Sequence, residues 1–249
     1  MQIPLTPSTE LSHAETVRLP RAASAVFSLP TGGNLSVSLC RPEQRLPDLA
    51  LAPGGSVLLA AGDSALVVAG DGLISTPVPA WAPRMLAFHD QINGCQRSVR
   101  DPVLLPGQLP LPGPLDDTPR SRAWLISHLA NGTPAFAGVA NRWARGEIYQ
   151  IVRFVLAHTH LSVQQLASRY GLSPAQFRRV TVKAFGRPLK EQLRLLRASR
   201  ALQMHAETGA SFTRVAGELG FSSPSHFCHD IKSLLGESPR AIFQSTRSP

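Results

Sequence analysis

Two stretches of this sequence, "SRYGLSPAQFRRVTVKAFGRPL" and "GELGFSSPSHFCHDIKSLLGESPRAI", carry nearly the same skeleton. Ala167, Gly171, Phe177, Gly186 and Pro188 are spaced by 4, 6, 9 and 2 positions; Ala216, Gly220, Phe227, Gly236 and Pro239 by 4, 7, 9 and 3. The two sets are offset by 49 to 51 residues, a repeat that leaves few folds open to the second half of the chain. Each piece has a local task. "VQQLASRY" and "FTRVAGEL" read as short amphipathic helices whose small Ala lets a second helix cross closely, and the glycine that follows takes the positive φ that ends a helix in a tight turn. Ser173, or Ser222/Ser223, can cap the next helix, and Pro174 or Pro224 suits its first turn, where a missing N–H costs nothing. Phe177 with Val180, and Phe227 with Ile231, are expected to anchor that second helix. The predicted unit is a helix-turn-helix, present twice.

Between the units, "LKEQLRLLRASRALQM" places Leu189, Leu193, Leu196 and Leu202 on a helical stripe interleaved with Arg194, Arg197 and Arg200. From Leu189 to Met204, at about 1.5 Å per residue, this is a rod of roughly 24 Å. Allowing for helix widths, its ends can hold two recognition helices about one DNA turn, roughly 34 Å, apart. The charge distribution agrees with a polyanionic partner. The chain is 249 residues long with a net charge of +9. Residues 1 to 145 hold 11 Arg against 10 Asp/Glu, a net of +1, whereas residues 146 to 249 hold 14 Lys/Arg against 6 Asp/Glu, a net of +8. Two helix-turn-helices in a module of that charge predict binding to double-stranded DNA.

The first half reads differently. "SAVFSLP", "NLSVSLC", "LALAP", "SVLLAAG", "SALVVAG" and "RMLAFHD" are short apolar or alternating runs divided by Gly- and Pro-containing turns, which predicts strands assembled as a small sandwich or barrel. "PVLLPGQLPLPGPLDDTP", with six prolines and two glycines in 18 residues, reads as a linker or extended arm. "RSRAWLISHLANG" and "PAFAGVANRWARGEIYQIVRFVLAHTH" return to helical spacing. The expected fold class is therefore α+β. A β-rich N-terminal regulatory domain with its Pro-rich arm occupies 1–119, a helical connection 120–145, and an all-α domain with two helix-turn-helix motifs and a linker helix 146–249.

The pattern "GFSSPSHFCHDIKSLLGESP", preceded by Ala216, a linker helix and another helix-turn-helix, resembles the AraC/XylS family of bacterial transcription regulators over about residues 146 to 244. Within that family "SSPSHF", "IK", "LLG" and "SPR" look most like the InvF/MxiE-type activators of type III secretion genes. The sequence departs from the family pattern at Ile231, where an aromatic is usual before Lys232, and at Cys228 and His229. The resemblance implies a cytoplasmic activator of virulence genes that works with RNA polymerase, with a type III secretion chaperone as coactivator and a homodimer among its expected assemblies. A different reading within the family gives the β domain a small-molecule ligand to sense.

The DNA-facing candidates follow from helix periodicity. With Phe177, Val180 and Ala184 turned inward, the first recognition helix offers Ala175, Gln176, Arg178, Arg179, Val182 and Lys183. The resemblance points to Ala175, Arg178 and Arg179 as base-facing, and arginine bonds guanine O6 and N7 bidentately. The second helix offers Ser223, Ser225, His226, His229 and Lys232, which the resemblance assigns mainly to backbone contact. No cofactor, metal or catalytic group is expected. Cys40, Cys95 and Cys228 are scattered without zinc-ligand spacing, and His226 and His229 have Cys228 on another side of the helix. An enzyme using Cys228 or Cys95 is the reading from a different class. The N-terminus has no basic segment leading into an apolar core, and the apolar run at 49–70 is broken by Pro-Gly-Gly and Gly-Asp, so neither a secretory signal nor a membrane span is expected.

Overall fold

The computed structural model describes residues 9–10, 16–19, 23–30, 35–39, 55–61, 65–70, 72–97, 107–111, 113–221 and 223–245. The chain divides into two compact units, Met1–Gln150 and Ile151–Pro249. Among the described residues, no helix is long and apolar enough to cross a membrane.

The first unit contains strands β1 (Thr9–Glu10), β2 (Thr16–Leu19), β3 (Ser24–Ser28), β4 (Leu35–Leu39), β5 (Ser56–Ala60), β6 (Leu66–Gly70), β7 (Ile74–Pro77) and β8 (Gly107–Leu111). They form two antiparallel sheets, ordered β1-β7-β3-β5-β8 and β2-β6-β4. Val17 and Leu19 of β2 alternate with exposed Thr16 and Arg18, so one face of that strand enters the core. There they join Phe27, Val37, Val57, Leu59, Leu66 and Val68 in one apolar cluster drawn from both sheets. This is the sandwich-like assembly that the alternation predicts. Every residue of β5 is buried, because Val57 and Leu59 face that cluster while α3 (Pro134–Ala144) packs on the sheet from outside.

Three sequence expectations for this unit change. "RMLAFHD", read as a strand, lies in α1 (Trp81–Ile92), whose buried Ala82, Leu86 and Asp90 recur every four residues. Seven residues are too short a window to separate the two periods, and Met, Leu and Ala favour a helix. The Pro-rich segment is not arm throughout: β8 lies inside it and pairs with β5, with Pro110 opposite Val57. Proline is tolerated there because β8 is the edge of its sheet. β1, β2 and β7 were not among the expected strands, and "LALAP" lies outside the described residues. The helical segment is split into α2 (Pro119–Asn131) and α3, each opened by a Thr cap followed by Pro: Thr118 accepts from the Ser121 N–H and Thr133 from the Phe136 N–H. Asp90, fully buried, receives Arg97 Nε at 2.6 Å and the Tyr149 hydroxyl at 2.9 Å, joining the end of α1 to the start of α4 (Glu147–Ala157).

The second unit is helical: α5 (Val163–Tyr170), α6 (Pro174–Phe185), α7 (Leu189–Thr208), α8 (Phe212–Glu218), α9 (Pro224–Leu235) and α10 (Pro239–Ser245). The expected helix-turn-helices are α5–α6 and α8–α9. Ala167 and Ala216 are buried at the helix crossings, and Gly171 and Gly220 take φ of 80° and 74° in the turns. At Gly220 a Cβ would also lie 2.8 Å from the His160 carbonyl oxygen, so side chains are excluded by close approach as well as by φ. The linker helix α7 has 20 residues, about 30 Å, longer than the segment read from sequence. Its most buried positions are Leu189, Leu193, Ala198 and Ala201; Leu196 and Leu202 are half-buried. Small alanines sit where α7 packs against α8 and α9, since they let helices approach closely.

Candidate DNA-binding interface

α6 begins with a capping box. Ser173 Oγ accepts from the Gln176 N–H at 3.3 Å, and Gln176 Oε1 accepts from the Ser173 N–H at 3.2 Å. It ends at Gly186, whose φ is 72°. Phe177, Thr181, Ala184 and Phe185 are buried. Thr181 thus replaces Val180 as an inward residue, its hydroxyl donating to the Phe177 carbonyl at 2.8 Å so that no polar group is stranded; Val180 is half-buried. On the opposite side Ala175, Gln176, Arg178, Arg179, Val182 and Lys183 are all exposed. At about 100° per residue these six span an arc of roughly 160°. Val182 is among the large apolar residues left to solvent, at 39% exposure. Gln176 is the exception to a free reading face, since its carbonyl oxygen is engaged by the cap, including the Ser173 hydroxyl at 2.8 Å.

α9 repeats the design with an offset of 50 residues. Ser223 caps it by accepting from the His226 N–H at 3.1 Å, and Phe227 and Ile231 are fully buried. Ser223, Ser225, His226, His229 and Lys232 are exposed, as is Cys228. Periodicity places Cys228, His229 and Lys232 where α6 has Arg178, Arg179 and Val182. The two faces therefore differ in chemistry: paired guanidiniums on α6, a thiol and imidazoles on α9.

Sequence reasoning missed the groups that hold α9 in place. Asp230 occupies the position of Val180 and is 4% exposed. Its Oδ1 receives Arg194 Nη2 at 2.8 Å and Nε at 3.2 Å, from α7. His226 Nδ1 lies 3.9 Å from its other oxygen. Arg197 donates Nε to the Thr159 carbonyl at 2.6 Å and Nη2 to the Leu161 carbonyl at 2.8 Å, linking α7 to the turn before α5. Burial draws the Arg197 guanidinium below its ordinary pKa, and the charge of Asp230 opposes that. Two of the three linker arginines are thus structural. The available signal was the lone acidic residue on an otherwise uncharged or cationic α9.

Residues 150–245 match a helix-turn-helix domain family. The second unit therefore carries a helix-turn-helix domain. The invasion protein InvF of Salmonella typhi is 34% identical over 128 residues, 51% of this chain and 59% of the relative. The transcriptional regulator MxiE of Shigella flexneri is 34% identical over 107 residues, 40% of this chain and 50% of the relative. The matches thus span between half and three-fifths of the curated relatives' length. Among solved structures, the DNA-binding domain of the global transcriptional factor AdpA, in complex with a target DNA, shares 28% identity with a TM-score of 0.37, covering 41% of this chain and 96% of that one. ToxT from Vibrio cholerae covers 94% of this chain and 96% of its own at 12% identity, with a TM-score of 0.35. Outside the matched domain, the described residues hold one cluster with metal-ligand atoms, His89, Asp90 and Cys95, within 4.8 Å of one another. The guanidinium of Arg97 already takes both Asp90 oxygens, which disfavours a second cation there.

Proposed function

We propose that this protein is a sequence-specific DNA-binding transcriptional activator of type III secretion genes. The observation that carries the proposal is the helix-turn-helix domain with two equivalently placed exposed helix faces, on α6 and α9, joined by a linker of about one DNA turn. In this reading Arg178 and Arg179 take base edges in one major groove. α9 lies in the next, where Lys232 and the Ser223 and Ser225 hydroxyls hold phosphates beside His226 and His229. Lys183 adds a phosphate contact on α6. The protein acts in the cytoplasm as a monomer or homodimer that engages RNA polymerase, and it has no enzymatic role. The identity with InvF and MxiE supports the target genes and a secretion chaperone as coactivator.

The first unit leaves Ile92 at 82% and Ile126 at 56% exposed, apolar side chains that a protein partner covers in this reading. It also has a shallow groove of about 300 Å³ lined by Trp81, Arg84, Met85, Phe88 and Arg122. The deciding experiment selects sequences from a random duplex pool with the full chain and measures the winners by gel shift. One enriched motif, with affinity falling several-fold in log units per log unit of salt as counterions are released, is expected. Recovery of no motif refutes DNA reading. The coactivator is tested with a reporter in a host lacking secretion genes: silence relieved by one chaperone is expected, and full activation by the protein alone refutes it.

A further inference from the structure

A cleft of about 690 Å³ lies inside the second unit; it shares His226 and His229 with the exposed face of α9, and its remaining lining residues lie outside the two DNA-facing sets named above. It opens between the start of α5 and the first halves of α7 and α9. Its apolar lining includes Val163 and Leu193. Its charged lining is unequal: Lys190, Arg194 and Arg197 against the single carboxylate of Asp230. That carboxylate is committed to Arg194. The hydrogen bonds of Arg197 go to neutral carbonyl oxygens, and its charge is opposed only by Asp230, the carboxylate already bonded to Arg194. Among the described residues Lys190 has no ion-pair partner. His226 and His229 add further donors, and the positive end of the α5 dipole lies at Ser162 and Val163. A concave site of this size, with an apolar wall beside a surplus of cations, suits a small molecule that carries a negative head on a hydrocarbon body.

We propose that this cleft binds an amphipathic organic anion of the carboxylate class, its head among Lys190, Arg194 and the histidines and its body against Val163 and Leu193. The inference does not depend on DNA binding, because the ligand is held within one helical unit and is measured without DNA. A backbone phosphate or free phosphate shares the head-group chemistry but lacks the body, and the experiment separates them.

The test titrates the full chain with 2-naphthoate by isothermal calorimetry, with 2-naphthalenemethanol as the neutral match and inorganic phosphate as the headgroup alone. Saturable binding of one naphthoate per chain is expected, with the alcohol about tenfold weaker or worse, since a charge-assisted hydrogen bond is worth that factor. Phosphate at the same concentration should not displace naphthoate. Lys190→Glu, at an exposed position, and Val163→Asp should each abolish binding. Val163→Asp places an acid in the first turn of α5, where it favours the helix, so loss of binding is not loss of fold; circular dichroism checks this. Equal binding of acid and alcohol, displacement by phosphate, or unchanged naphthoate binding in both variants overturns the proposal.

Discussion

The Arg194–Asp230 pair makes a quantitative forecast that differs for its two ends. Asp230 has a side-chain exposure of 5% and Arg194 of 36%, so the carboxylate depends on its partner more than the guanidinium does. Arg194→Leu leaves a buried carboxylate. Breaking a fully buried pair in that way costs about 3–5 kcal/mol. Here the arginine is partly solvated, and His226 at 3.9 Å offers a substitute, which brings the expected cost to about 1.5–3 kcal/mol. Asp230→Val removes the carboxylate and installs the residue type that α6 has at the same place, Val180. Arg194 can then turn its head to water while its stem stays packed, for a cost of about 0–1 kcal/mol. The double variant should lie within about 1 kcal/mol of the natural protein, giving a coupling energy of roughly 1.5 kcal/mol. Urea unfolding followed by far-ultraviolet circular dichroism reads the helical unit. All three tryptophans, Trp81, Trp124 and Trp143, lie in the first unit, so their fluorescence follows that unit separately. A double variant destabilised by the sum of the single effects or more would refute the account of Asp230 as a carboxylate that needs Arg194.

Arg178→Ala and Arg179→Ala should each cost about 1–3 kcal/mol at the selected site and relax preference at one base pair, while Lys232→Ala weakens all duplexes about equally; competition gel shifts distinguish the two, and a uniform loss for both arginines makes them phosphate contacts. Gly171→Ala, where a Cβ meets open space, should cost about 1 kcal/mol from φ alone. Gly220→Ala should cost clearly more in the same denaturant assay, because its Cβ lies 2.8 Å from the His160 carbonyl oxygen. The Thr118 hydroxyl, followed by that of Ser121, holds the Asp116 carboxyl below its ordinary pKa. A depressed carboxyl adds stability that is present above its unfolded pKa and lost as pH falls through the folded value, so Asp116→Asn should flatten the acid limb of the tryptophan-monitored stability profile.

The second unit was legible because its determinants are local. A glycine at a turn, a Ser-x-x-Gln or Ser-Pro start and an aromatic anchor act over a few residues, so fixed spacings in Ala167–Pro188 and Ala216–Pro239 carry the helix-turn-helix directly. The exposed face of α6 follows from the same periodicity. What escaped depends on partners far along the chain. Arg194 and Asp230 are 36 residues apart, and Arg197 and Thr159 are 38 apart, so nothing local separates these arginines from solvated ones. α1 was misread because its apolar core was judged over seven residues without Trp81 and Ala82, which complete the helical stripe. β8 was missed because its prolines argue against a central strand and leave an edge strand open.

That edge has a consequence for how copies of the protein meet. A sheet border normally presents a row of N–H and C=O groups that another chain can extend, a route to fibrous aggregation. On β8 Pro110 is exposed and has no N–H to offer, and the strand is five residues long with Pro114 close behind it. A neighbouring strand laid along this border would meet a gap in the ladder of donors. The border is therefore self-limiting, which protects a chain whose β5, directly inside it, is buried at every position and apolar at all but Ser56.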